Sequence, residues 1–347
     1  MTGPETSTFL QEVALQPQAL ADLVAHYRGA DRNLLQCWAG RARKVGRVVF
    51  SGMGTSRFAP EMVLTALARQ GVDASTVDAG ELLHYPRPIP GMLTLVSQSG
   101  ESVETRELAL QCRPSRGLAA IVNSTTSSVA RAADVVLPVS AGRETAISTK
   151  TYVNTLAVLH LLARALYGAG AVEQALQDLD GLARAMPECD YARIERASSL
   201  LSDASSLHFI SRGPAMVAAR QAALTFMEGA RLSSIPFTGG SFRHGPFELV
   251  DADHRCVFFI PGGPTCQLLM GMAEELAGNG SHVTVITDQD VALPQATCCV
   301  LKVPSFGEDL FALSAATTQA LLLDAVARKR GLQAGEFRHG QKVTTRE

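Results

Sequence analysis

The sequence predicts an α/β protein made of two tandem, doubly wound parallel sheets. Three observations carry this expectation. Short runs rich in Val, Ile and Phe are continuous rather than alternating, as strands buried on both faces are. Helical stretches separate them, so strand and helix alternate as in right-handed crossover units. The runs also form two sets of four in the same order, offset by roughly 159 to 164 positions. That offset marks an internal repeat.

In chain order, residues 1–44 read as an N-terminal helical segment. A first domain, 45–175, opens with RVVFSGMG (47–54) and the helical RFAPEMVLTALARQG. It continues through GMLTLVSQ (91–98), the helical VETRELALQCR, GLAAIVNS (117–124) and ADVVLPVS (133–140). A helical linker, 176–200, passes through MPECDYARIE. The second domain, 201–330, repeats the scheme with SLHFISRG (206–213), RCVFFIPG (255–262), SHVTVITD (281–288) and TCCVLKVP (297–304). Its helices are AMVAARQAALTFMEGA and TCQLLMGMAEELAGNG, and a polar tail closes the chain over 331–347.

Composition narrows the function classes. The 347 residues are 46% hydrophobic and 18% charged, enough to build a substantial core and unlike a disordered chain. A formal net charge of −2, with no basic block, argues against nucleic acid as a partner. The seven cysteines (37, 112, 189, 256, 266, 298 and 299) contain no CxxC pair and no His at zinc spacing. Reduced thiols in the cytoplasm and no bound metal are expected. No signal peptide is read at the N-terminus, and His160 and Arg164 interrupt the long apolar run TLAVLHLLARALYGAGAV, so no membrane association is expected.

Two loops of the first copy gather polar groups where a strand feeds a helix. SGMGTSR (51–57) offers Gly54, Thr55 and Ser56; SQSGES (97–102) offers Ser97, Gln98, Ser99 and Ser102. Ligands of open parallel sheets collect beyond the strands' carboxyl ends, and amides at helix N-termini favour anions. Glycines 52, 54 and 100 are expected to free further amides for that purpose. No Walker lysine is present, so the pattern suits a small phosphate monoester rather than a nucleotide. Ordinary turn and capping serines would give the same letters. The second copy reads IPGGPT where the first has VSQSGES, so one phosphate site per chain is expected.

GMGTS, SQSGES and STKTY (148–152) resemble the sugar isomerase (SIS) domain family, whose domains are flavodoxin-like. The chain is similar, from EVALQP to KVTTRE, to the isomerase half of glucosamine-6-phosphate synthases and to stand-alone sugar-phosphate deaminases and deglycases. The resemblance implies that Ser97, Gln98, Ser99, Ser102, Thr55 and Ser56 hold a phosphate and that Ser148 lines the sugar. No glutamine amidotransferase domain is read in the chain.

Moving a carbonyl between C1 and C2 requires ring opening, proton transfer and stabilisation of an enediol charge. An imidazole, a carboxylate and a lysine suit these acts. Glu228 ends the helical AARQAALTFME and alone could be a solvated carboxylate; the resemblance implies that it carries the proton. His244 lies in SFRHGPFELV, and the resemblance makes it the ring opener, given across a subunit interface, hence a homodimer with shared sites. Gly331, Arg338 and Lys342 reproduce the family's tail spacing, making Lys342 the imine-forming or charge-stabilising lysine. Thr225 stands where the synthases carry a Lys, Ser233, Ser234 and Ile235 where they carry His-Ala-Glu, and Phe337 and Gly340 where Pro and Leu are common.

The expected function is therefore a sugar-phosphate isomerase or deaminase, on an amino-sugar 6-phosphate, without cofactor. The competing reading is a sugar-phosphate sensor. The N-terminal extension is too short and too weakly basic for a DNA-binding domain. GMGTSR also lacks the third glycine of a dinucleotide-binding loop.

Overall fold

The computed structural model describes residues 7–29, 31–112, 116–293, 296–339 and 341–344. They form two compact units. One holds 17–144 and 150–183 with the described tail from 339; the other holds 145–149 and 184–338 with the described residues up to 16.

The first unit is built on β1 (Arg47–Gly52), β2 (Asp73–Asp78), β3 (Met92–Ser97), β4 (Leu118–Val122) and β5 (Val135–Pro138). All neighbours pair in parallel, in the order β2-β1-β3-β4-β5. The second unit carries β6 (Ser206–Ser211), β7 (Ser233–Thr238), β8 (Arg255–Ile260), β9 (His282–Thr287) and β10 (Cys298–Lys302). Its order, β10-β9-β8-β6-β7, is the same topology read from the other edge. The predicted fold class of two doubly wound parallel sheets holds.

Eight of these ten strands coincide with the apolar runs read from sequence. The two that do not are β2 (DASTVD) and β7 (SSIPFT), both at sheet edges. Each leaves much of its length partly or fully exposed, whereas every residue of β3, β4 and β8 is buried. An edge strand need not be apolar, and Pro236 in β7 is tolerated there because an edge can spare an N–H.

In the first unit, Trp38 donates its Nε1–H to Thr94 Oγ1 at 3.1 Å and stacks on Phe50. The helix Arg32–Val45 thereby packs its one large aromatic on the middle of the sheet. Asn154, buried on the helix Lys150–Ala165, donates to Ala19 O (2.8 Å) and Val139 O (3.0 Å). In the second unit Phe209 of β6 meets Phe226 and Phe259 edge-on or tilted, so the helix Met216–Ala230 is seated on strands β6 and β8. Residues Glu308–Lys329 are long and apolar enough to cross a membrane by length and composition, but their most apolar part is almost entirely buried in the protein. It serves as core.

Candidate active site

The strand order reverses between β1 and β3, so their carboxyl ends open the crevice where ligands of such sheets bind. Gly52 stands at the end of β1; a Cβ there would lie 2.5 Å from Val96 O. Only a residue without a Cβ permits that close backbone approach. Gly54 follows at φ +51°, ψ −124°, a conformation for glycine, and turns the chain into the short helix Thr55–Phe58. Thr55 and Ser56 are half-buried at that helix's start.

After β3 the second loop is wound on itself. Ser97 Oγ accepts from Gly100 N (3.1 Å), and Ser99 Oγ accepts from Glu101 N (3.1 Å). The Gly100 amide expected to be free is therefore engaged by Ser97. A hydroxyl that accepts from an amide still has its own proton to donate, so both serines remain phosphate-competent. Gly100 has φ +65°, and a Cβ there would meet Ser127 Oγ at 2.1 Å. Gln98 is tied through its carbonyl, which accepts from Asn123 N at 3.1 Å. Ser102 is the N-cap residue of the helix Val103–Gln111, but its side chain makes no capping bond. Glu101, unremarked in the sequence, accepts from Ser128 N at 2.7 Å, and that bond holds its carboxyl below the ordinary carboxylate range. That carboxylate lies at the N-terminus of the helix Ser128–Ala132, a position that favours negative charge.

The tail docks on the same unit. Thr344 O accepts from Val103 N at 3.2 Å, one residue beyond Ser102. Lys342 Nζ lies 2.5 Å from Glu144 Oε2, and the Glu144 side chain is wholly buried. Thr151 donates to the same carboxylate from its amide (3.0 Å) and its hydroxyl (2.6 Å). Burial pushes the Glu144 carboxyl up, but the Lys342 charge and the hydrogen bonds from Lys342 and Thr151 outweigh it and bring it below its ordinary value. Gly340, one of the tail's departures, lies outside the described residues.

In the second unit Glu228 is half-buried near the end of the helix Met216–Ala230. Ser148 is brought beside that helix: Gln221 Nε2 donates to Ser148 O at 3.3 Å. Ile147 Cδ1 would lie 2.9 Å from a Cβ on Gly229, the residue after Glu228. Ser148 and the Glu228 helix thus belong to one packed assembly. His244 is exposed behind the helix Gly239–Arg243, its amide donating to Ser241 O at 3.3 Å. No hydrogen bond joins it to Ser148 or Glu228 among the described residues. The hydroxyls at the two departures are spent locally, Thr225 Oγ1 on Gln221 O (2.9 Å) and Ser234 Oγ on Leu232 O (2.8 Å).

The second sheet's own crevice, between β6 and β8, is chemically different. Gly262 N donates to Asp288 Oδ1 at 2.7 Å, Ser305 Oγ to Asp288 Oδ2 at 2.9 Å, and Glu308's carboxyl lies 3.2 Å from a Cβ built on Gly263. Two carboxylates there would repel a phosphate that the hydroxyls of the first crevice would attract.

Against known proteins, the chain is 27% identical over 352 residues to a glutamine–fructose-6-phosphate aminotransferase [isomerizing] of Pyrococcus horikoshii, covering 97% of this chain and 57% of that protein. The chain thus spans about half the length of the curated relatives it matches, 43% for the protein of Zymomonas mobilis. Among solved structures, the C-terminal domain of glucosamine-fructose-6-phosphate aminotransferase from Francisella tularensis superposes with a TM-score of 0.84 at 19% identity, covering 97% of this chain and 99% of that one. Tagatose-6-phosphate ketose/aldose isomerase from Escherichia coli gives 0.77 at 19% identity, with 95% and 94% covered. A family model described as the SIS domain matches residues 43–165 and 200–329. The chain therefore belongs to the SIS domain family and carries two copies of that domain.

Proposed function

We propose that this protein is a sugar-phosphate isomerase or deaminase that moves a proton between C1 and C2 of an amino-sugar 6-phosphate, without a cofactor. The observation that carries the proposal is the docked tail. It brings the Lys342 cation into the unit that bears the hydroxyl loop, and fastens its backbone to Val103 beside Ser102. A hydroxyl-rich loop with one lysine paired to a buried carboxylate in the same unit suits a substrate that is anionic at rest and more so in its enediolate form. The relatives named for fructose 6-phosphate and tagatose 6-phosphate support the same substrate class.

Each residue then has a task. Ser97, Ser99 and Ser102, with Gln98, Gly54, Thr55 and Ser56, bind the phosphate, and Ser148 faces the sugar. His244 opens the ring, acting in a homodimer on a second copy's substrate. The Glu228 carboxylate takes the proton from C2 of the open aldose and returns it to C1, while Lys342 offsets the charge that builds on the oxygens. With a C2 amino group the product is a ketimine, which water cleaves to ketose and ammonia. Incubation with a panel of hexose and hexosamine 6-phosphates, read for ketose and ammonia, tests the proposal. Ketose from at least one member is expected. Tight binding without turnover of any would make the protein a sensor.

A further inference from the structure

The N-terminal helix Thr8–Ala14 carries a carboxylate whose position asks for an explanation. Glu12 is 6% exposed, and no cation pairs with it among the described residues. Its Oε1 accepts from Thr145 N (2.6 Å) and Thr145 Oγ1 (3.1 Å), and its Oε2 accepts from Ala146 N (3.2 Å). Residues 145–149 belong to no strand or helix, so no ladder holds these amides. A buried carboxylate costs several kcal/mol of desolvation unless it is hydrogen-bonded, so its placement strongly favours the backbone geometry that satisfies it.

The fixed segment leads straight to the proposed chemistry. Ile147, next after the tethered amides, packs its tip beside Gly229: its Cδ1 would lie 2.9 Å from a Cβ there. Gly229 adjoins Glu228, and Ser148 O is held by Gln221 of the same helix. Phe9 and Ala146 meet again at Gly335, where a Cβ would lie 3.1 Å from each, so the N-terminal helix is clamped to the segment on a second side.

Resting on the proton-transfer reading of Glu228, we infer that Glu12 is a positioning residue. It fixes Thr145 and Ala146 so that Ile147 and Ser148 set the placement of the helix end bearing Glu228. Displacement of a catalytic group by about 1 Å costs on the order of a hundredfold in rate. Glu12→Ala is therefore expected to slow turnover of a sugar phosphate at least tenfold with little change in KM, since the phosphate loop belongs to the other unit. Glu12→Gln keeps one acceptor oxygen for Thr145 but sets an NH2 against the Ala146 N–H, so it should recover only part of the rate.

Val13→Ala serves as the control, loosening the same helix without touching the tether; Val13 is 2% exposed. Compared below both melting temperatures, it should keep near-normal turnover even where its stability loss matches that of Glu12→Ala. Amide hydrogen exchange supplies a readout independent of activity: protection at Thr145 and Ala146 should fall selectively in Glu12→Ala. Retained protection there, or equal rate loss in Glu12→Ala and Val13→Ala, overturns the inference. If the wild type turns over no sugar phosphate, the functional reading fails, and the exchange data alone still decide whether Glu12 fixes the segment.

Discussion

The Lys342 ammonium sits 2.5 Å from a carboxylate, Glu144, that is 198 residues away in sequence and whose side chain is wholly buried. Removing Lys342 should leave that carboxylate buried without its cation, a change that typically costs about 3–5 kcal/mol. Lys342→Met is expected to lower the melting temperature at neutral pH. The sign of the pH dependence follows from Glu144. Its folded-state pKa is lowered, so its contribution is present above the ordinary value of 4.5 and is lost as pH falls below it. The gap between wild type and Lys342→Met should therefore narrow on acidification below about pH 4.5. Thermal melts across that range check it, and a gap that widens contradicts the pairing.

A second pH effect comes from buried imidazoles. His208 Nδ1 lies 2.9 Å from His254 Nε2, and His254 Nδ1 lies 2.6 Å from Ser281 Oγ. Burial, helped by the neighbouring His208, pushes His254 down to about 4, and burial pushes His160 down to about 3. Below their ordinary value of 6.5 the unfolded chain takes up protons that the folded protein refuses, so stability falls with pH from there toward about 4. The loss from His254 is of order 2–3 kcal/mol. Denaturant midpoints at several pH values should show the slope, and His254→Gln should reduce it, leaving the His160 contribution.

The phosphate loop makes separable predictions. Ser99→Ala should weaken binding of a 6-phosphate sugar by about 1–3 kcal/mol, the worth of a hydrogen bond to a charged group. Affinity for the unphosphorylated sugar should stay the same. Gly100→Ala should harm both binding and folding, because φ is +65° and the methyl would enter Ser127. Calorimetric titration with both sugars decides the first; equal weakening for both sugars would remove the loop's assigned role.

The sequence was most informative where burial or local chemistry leaves a local mark. Strands β3, β4 and β8 read clearly because both faces are covered, and the loop after β3 stands out because Ser97, Ser99 and Ser102 crowd into one short stretch. The edge strands β2 and β7 escaped because half-exposed strands carry no apolar run. The partners of the site residues escaped for a different reason. Glu144 meets Lys342, and Glu12 meets Thr145, only through the tertiary fold, and no spacing in the chain encodes those encounters.

The most direct test of the central claim is hydrogen exchange at the sugar carbons in heavy water. The wild-type protein should replace the C1 or C2 hydrogen of its sugar phosphate with deuterium. Glu228→Gln, which keeps the shape but not the base, should still bind that sugar and exchange about 10²–10⁴-fold more slowly. Exchange at the wild-type rate in the variant would mean that Glu228 does not carry the proton.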